Sequence, residues 1–284
     1  MKNLLNRLAV TALLVLALNG CQPITNTSAG IGATAAVPLS ELLIHAHDYS
    51  YDLPKQVAAG IVRITIDSDG KEPHHAQLAR LNDGVTQEQF LAAMQEGLEA
   101  MIPLVSFTGG PAPIDDGGSQ TVLMELTAGN YVVLCFVPSA DGLPHVAKGM
   151  ISFFEVVAGE NRTAAPPADA TVELLDFSYK LPADIKAGKQ LWAVVNRGTQ
   201  LHEINLMKLA EGKTLDDVMA WMMQPAGPPP FLNVGGFQGI NPGATGWMEL
   251  DLVAGEYIAI CHIPDPATGK PHEALGMVLP FTVP

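Results

Sequence analysis

Two short stretches of this chain carry a thiol, an imidazole and a thioether in the same order. The first is CFVPSADGLPHVAKGM, from Cys135 to Met150, and the second is CHIPDPATGKPHEALGM, from Cys261 to Met277. Nine residues separate Cys from His in the first and ten in the second, and four separate His from Met in both. Thiolate, imidazole and thioether are donors that soft metal ions accept, so each stretch reads as most of a metal site.

The recurrence extends beyond these loops. Asp48-Tyr-Ser-Tyr-Asp-Leu-Pro returns as Asp176-Phe-Ser-Tyr-Lys-Leu-Pro at an offset of 128, and Gly60/Gly188, Gly70/Gly198 and His74/His202 keep that offset. Farther on it falls to 126, with Gly109-Gly110 against Gly235-Gly236 and Ala128-Gly-Asn-Tyr131 against Ala254-Gly-Glu-Tyr257, as a two-residue deletion in a connection would produce. A repeat of this length is a duplicated domain. It adds one upstream histidine to each set, giving His74, Cys135, His145 and Met150 in one repeat and His202, Cys261, His272 and Met277 in the other. His75, beside His74, is the competing ligand; the register favours His74.

The segments that must position these residues are mostly strand-like. Tyr49, Tyr51 and Leu53, like Phe177, Tyr179 and Leu181, alternate with more polar neighbours as one face of a strand does. GIVRITID and KQLWAVVN follow as second strands. VLMELTAGNYVVLCFV and GWMELDLVAGEYIAICHI are strand pairs turning at Ala-Gly-Asn and Ala-Gly-Glu. One helix interrupts each repeat: Thr86 with Gln89 three residues on is a capping-box signature, and Thr214 with Asp217 resembles one. These signals predict an all-β chain of two tandem Greek-key β-sandwiches, each with one inserted helix. Cys then lies at the end of one strand and Met at the start of the next, at the same end of the sandwich.

The domain boundaries follow. Residues 1–20, with Lys2 and Arg7 before an apolar run too short to cross a bilayer, read as an export signal. Residues 21–36 are a small, polar tether. Residues 37–160 form the first domain, the Pro-rich 161–169 a linker, and 170–284 the second domain. Each half holds a complete ligand set and is expected to fold and bind metal alone. Of the three cysteines, Cys21 falls outside the repeats, so each repeat keeps a single thiol and no disulfide within a domain is available. The net charge of −14 argues against nucleic-acid binding and steers the protein toward basic partners.

Leu18-Asn-Gly-Cys21 resembles the lipobox of bacterial lipoproteins. The resemblance implies that Cys21 is lipidated and becomes the mature N-terminus, with 13 basic and 29 acidic residues left after removal of 1–20, a net −16. It also implies an exported protein held on a bacterial membrane, the outer membrane in a Gram-negative source, by the lipid alone. Each repeat in turn resembles a cupredoxin, the plastocyanin and azurin type of domain, in the Asn/Asp-rich turn before His74 and His202, the Gly-x-Tyr strand leading to Cys, and the Cys…His-x4-Met order. That resemblance implies a type 1 copper set in each repeat, two coppers per chain, and electron transfer with a redox partner protein. The Cys-to-His spacing is longer than in small cupredoxins. Leu134 and Ile260 precede the cysteines, where the catalytic copper of nitrite reductases takes a histidine, so no enzyme activity is expected. Two other functions remain open, copper storage or delivery and a metal-free scaffold or adhesion module. His45 and His47 share a strand face, as partly exposed histidines or as a weaker second site.

Overall fold

The computed structural model describes residues 39–159 and 164–284. The expected signal at 1–20, the tether at 21–36 with its lipid-bearing Cys21, and part of the linker, at 160–163, lie outside the described residues. In the first repeat the strands are β1 (Ser40–His47), β2 (Ser50–Asp52), β3 (Gln56–Ala58), β4 (Gly60–Ser68) and β5 (Gln77–Leu81). Helices α1 (Gln87–Glu96) and α2 (Leu98–Met101) follow, then β6 (Val105–Gly109), β7 (Ser119–Leu126), β8 (Gly129–Leu134) and β9 (Ile151–Val157). The second repeat has β10 (Ala170–Leu175), β11 (Ser178–Lys180), β12 (Gly188–Asn196), β13 (His202–Leu209), α3 (Leu215–Met223), β14 (Phe231–Ile240), β15 (Thr245–Leu252), β16 (Gly255–Ile260) and β17 (Val278–Val283).

The class is all-β, and the strands form two sheets that both run through the two repeats. One has the order β11-β10-β12-β15-β7-β4-β1-β2 and the other β17-β16-β13-β14-β6-β5-β8-β9-β3. Each order reads nearly the same from either end, as a duplicated unit joined to its copy would. Between the sheets lies one apolar core that includes Ile64, Val133 and Tyr131 of the first repeat with Trp192, Tyr257 and Ile204 of the second.

The period-two alternation of a strand explains where the cysteines go. In β8 and the residue after it, Tyr131, Val133 and Cys135 face this shared core, while Val132 and Leu134 face a second cluster with Phe90 of α1. In β16 and beyond, Tyr257, Ala259 and Cys261 face the shared core, whereas Ile258 and Ile260 meet Val218 of α3. These strands are buried on both faces because a helix covers the outer one. Both helices start at true capping boxes: Thr86 and Thr214 each accept from the third residue on, and the Gln89 and Asp217 side chains reach back. Asp is long enough for this second contact, and each cap contributes about 1 kcal/mol.

Two local expectations change. Tyr49 and Phe177 are turn residues rather than strand residues, with φ of 65° and 60°. The first repeat also carries an additional single helical turn, α2. It begins at Gly97, whose φ of 122° breaks α1.

The repeats meet along β15–β7, where Trp247 opposes Leu123 and Met248 opposes Val122, and at β14–β6, where Ile240 opposes Thr108. Buried amides reinforce the seam. Gln77 donates to the Gly239 carbonyl at 3.0 Å and Gln120 to the Gly236 carbonyl. Asp115 accepts from the backbone and side chain of Asn233 at 3.0 and 2.7 Å. A Cβ at Gly109 would lie 2.3 Å from the fully buried Phe237 ring, so the close approach of the repeats requires glycine there. Opening this seam would give up these hydrogen bonds, each worth about 0.5–1.5 kcal/mol net, and expose the shared apolar core to water. Two chains covering residues 37–160 and 170–284, produced together, should therefore associate and copurify through a tag on one. Halves that sediment as separate monomers would contradict the shared sheets.

Candidate metal centres

The first centre is assembled from three places in the chain. His74 follows the turn after β4 and exchanges backbone hydrogen bonds with Ile114 at 3.1 and 3.0 Å. Cys135 directly follows β8, and His145 opens a 3-10 turn, His145–Lys148, that begins after Pro144 and ends at the left-handed Gly149. In the second centre, His202 is the first residue of β13, Cys261 follows β16, and His272 opens the equivalent turn after Pro271. All six side chains are fully buried.

The donor atoms converge in the same way twice. His74 Nδ1 lies 3.1 Å from His145 Nδ1, and Cys135 Sγ lies 3.5 Å from that same nitrogen. The corresponding distances in the second centre are 3.1 Å from His202 to His272 and 3.4 Å from Cys261 to His272. In each group the three donor atoms lie within 4.8 Å of one another.

Backbone bonds hold the loops in matching shapes. His145 N–H donates to Val137 O at 2.9 Å, Val146 N–H to Cys135 O at 2.7 Å and Met150 N–H to His145 O at 3.0 Å. His272, Glu273 and Met277 repeat these bonds at 2.9, 3.0 and 2.9 Å. The extra residue of the second loop lies between the paired prolines Pro264 and Pro271, which correspond to Pro138 and Pro144. It lengthens the loop tip and leaves the ligand end unchanged. Met150 and Met277 are fully buried at the ends of the same loops.

The outward nitrogens decide which way the imidazole lone pairs point. His145 Nε2 meets Glu72 Oε2 at 2.8 Å, and His74 Nε2 faces Asp48 Oδ1 at 3.4 Å. His202 Nε2 meets Asp176 Oδ1 at 2.8 Å, and His272 Nε2 meets Gln200 Oε1 at 3.1 Å. A carboxylate only accepts, so the ring proton sits on Nε2. Gln200 presents its oxygen because its amide nitrogen donates to Asp265 at 3.0 Å. Every Nδ1 is thereby left as a bare lone pair, and two such lone pairs face each other at 3.1 Å beside a thiol. This arrangement is repulsive until a cation occupies it, and outer carboxylates behind metal-bound imidazoles are the usual way of fixing the tautomer.

The electrostatics agree. Burial pushes the Cys135 thiol up to about 11 and raises Cys261 as well, so each thiol needs a metal cation to become a thiolate at neutral pH. Burial lowers His74 and His202 against the pull of their aspartates. For Asp176, burial acts upward, but hydrogen bonds from His202 and Thr199 hold it down to about 2. Two buried imidazoles and a thiol, with inward lone pairs, fit a soft metal ion such as copper, one in each repeat.

The remaining histidines stand elsewhere. His75 Nε2 accepts the Phe136 N–H at 2.6 Å, and burial lowers its pKa to about 3. It is a neutral backbone partner, and His74 is the residue that meets Cys135 and His145. His45 and His47 pair on the surface with Asp67 and Asp69 at 2.6 and 2.5 Å. His262 Nδ1 faces Glu273 at 3.2 Å.

Sequence reasoning used Asp48 and Asp176 only as markers of the repeat and passed over Glu72 and Gln200. The turn aromatics were also misjudged. Tyr49 and Phe177 set ring edges against His145 and His272, with centroids 5.2 Å apart in both. A bulky residue in the left-handed region costs on the order of 1–3 kcal/mol, and here it carries a ring over the second imidazole. The same offset of 128 relates Asp48 to Asp176, Tyr49 to Phe177 and Glu72 to Gln200, so the signal was available.

Gly70 and Gly198 complete each centre. A Cβ at Gly70 would lie 2.3 Å from His74 Nε2 and 2.7 Å from Asp48 Oδ1, and one at Gly198 would lie 2.6 and 2.4 Å from His202 and Asp176. Gly70→Ala should therefore displace His74 and lower bound metal from about two to about one per chain. Gly198→Ala should do the same at the other centre, and the double change should remove both. Metal content after gel filtration measures this; full loading of the double variant would contradict the assignment.

No protein-family model matches the chain, and no curated protein sequence matches it. Among solved structures it is similar to dithionite-reduced auracyanin from the photosynthetic bacterium Roseiflexus castenholzii, at 21% identity over 41% of this chain and 96% of that one, with a TM-score of 0.28. It is also similar to a multicopper oxidase, at 17% identity over 86% of this chain and 88% of that one, TM-score 0.24. A copper nitrite reductase from Nitrosomonas europaea matches at 12% identity over 86% and 93%, TM-score 0.23.

Proposed function

We propose that the protein is an electron carrier with two type 1-like copper centres, ligated by His74, Cys135, His145 and Met150 and by His202, Cys261, His272 and Met277. The observation that carries this reading is the duplicated, fully buried group of two inward Nδ1 lone pairs and one thiol sulfur. Copper supplies a reversible one-electron change between Cu(II) and Cu(I) in such a site. The protein's own residues keep the ligands fixed while the charge changes. The backbone bonds of the two loops hold Cys and the second His. The Asp48, Glu72, Asp176 and Gln200 side chains hold the rings, and burial excludes water. Met150 and Met277, as weak thioether donors, would tune the potential.

A carrier is favoured over an enzyme because Leu134 and Ile260 stand before the cysteines, and neither side chain can bind a further metal. Cys21 is proposed as a lipid anchor that holds the carrier at a bacterial membrane. No helix among the described residues is long and apolar enough to cross one. The charge of −14 suits a redox partner with a basic docking face, whose association would weaken as salt rises.

Copper-loaded protein should show an intense visible band from thiolate charge transfer. Cys135→Ser and Cys261→Ser should each remove about half of it, and the double change all of it, because thiolate is the ligand behind the band. Copper bound without that band, and exchanged with a chelator faster than electrons are exchanged, would favour storage or delivery instead. Cys21→Ala should release the protein from membranes or leave the precursor unprocessed. Unchanged membrane fractionation together with unchanged mature mass would remove the anchor from the proposal.

A further inference from the structure

The two centres match in donor set, donor distances and burial, and each has an aspartate behind the first imidazole, 3.4 Å from His74 and 2.8 Å from His202. They differ behind the second imidazole. His145 Nε2 gives its proton to the Glu72 carboxylate at 2.8 Å, whereas His272 Nε2 gives its proton to the neutral amide oxygen of Gln200 at 3.1 Å. Glu72 and Gln200 occupy the same repeat position.

We infer that this Glu72/Gln200 exchange sets the copper potential of the first centre below that of the second, so that an electron shared by the two resides at the second. The inference rests on the copper reading above. A carboxylate draws the Nε2 proton outward and gives the ring imidazolate character, which makes Nδ1 a stronger donor. It also places a full negative charge one imidazole away from the metal. Both effects stabilise Cu(II) over Cu(I). An amide oxygen carries only a partial charge and does each more weakly.

The other charged groups near the centres either recur in both or make no hydrogen bond to a ligand imidazole. Asp48 and Asp176 are the same group behind His74 and His202, at 3.4 and 2.8 Å, so the shorter aspartate contact belongs to the second centre and acts against the Glu72 effect. Lys148 lies 4.8 Å from the Tyr49 ring but is paired with Asp141 at 2.8 Å. Asp265 bonds the Gln200 amide at 3.0 Å, and its charge and that of Glu273 also act on His272 through space. Glu203 accepts from the His262 backbone and the Asn205 side chain, and Glu273 faces the His262 ring, so neither bonds a ligand imidazole. Glu72 also accepts the Ala140 N–H at 3.4 Å and the Tyr49 hydroxyl at 3.1 Å, contacts that hold the carboxylate against His145. Its side chain is 26% exposed, so solvent screens part of the effect.

The potentials are measured by spectroelectrochemical titration of the copper-loaded protein. Cys261→Ser leaves only the first centre coloured and Cys135→Ser only the second. The first centre should titrate at the lower potential. Glu72→Gln should raise it by an amount equivalent to a tenfold change in relative affinity for the two oxidation states, about 59 mV for one electron. Gln200→Glu should lower the second centre by a similar amount. Shifts in opposite directions from isosteric exchanges separate a charge effect from loosened folding, and Gln200→Glu keeps the test open should Glu72→Gln misfold. Equal or reversed potentials, or exchanges that leave both potentials unmoved while the thiolate band persists, would overturn this inference alone. Absence of the band from the wild-type protein would overturn the copper reading and this inference with it.

Discussion

The structure turns on two imidazole nitrogens that face each other at 3.1 Å beside a thiol, in both repeats. Left bare, they repel; a cation between them would turn that repulsion into attraction. Much of what surrounds each centre keeps this conflict from relaxing. Asp48, Glu72, Asp176 and Gln200 hold the ring protons outside. Gly70 and Gly198 leave room for the His74 and His202 rings, and the strained turns at Tyr49 and Phe177 lay an aromatic edge on the second imidazole. The loop backbone does the rest by tying His145 to Val137 and Met150, and His272 to Ile263 and Met277. A metal site of this kind is a preorganised defect, tolerated because the surrounding sheets are stable enough to bear it.

That stability comes from ordinary strand chemistry. The alternation that sends Tyr131, Val133 and Cys135 inward also sends Val132 and Leu134 outward, and an exposed apolar face on β8 would be costly without α1 to cover it. The same relation links β16 to α3. The inserted helices therefore serve the centres indirectly: they bury the backs of the strands that carry the cysteines, and so keep those strands rigid. In the other sheet, β1 and β10 run parallel to β4 and β12 and bring the turns bearing Asp48 and Asp176 to the histidine side. Function thus depends on strand order as much as on the loops.

Much of this was legible in the sequence because it is local or repeated. The Cys…His-x4-Met order, the helix starts at Thr86 and Thr214, and the strand ends flanking Cys and Met are short patterns with direct physical causes. The choice of His74 over His75 needed only the register. The outer partners were less legible, because an aspartate beside an aromatic in a turn has no signature of its own until the fold shows which ring it faces. The shared sheets were illegible. Gln77, Gln120 and Phe237 gain their meaning from residues more than a hundred positions away, and no local pattern records such contacts. The short helix α2 follows a glycine break, a feature that a capping signature at Thr86 does not foresee.

The paired prolines at the loop tips have a wider consequence. Pro138 with Pro144, and Pro264 with Pro271, close each tip as a small bridged turn, and the second tip already carries one residue more than the first without moving the ligand bonds. Loop length beyond the prolines is thus separable from the ligand bonds, whereas Ala140 and Asp265 in the tips still reach Glu72 and Gln200 behind the second imidazoles. The one-residue difference in length is absorbed among exposed positions such as Asp141 in one tip and Lys270 in the other.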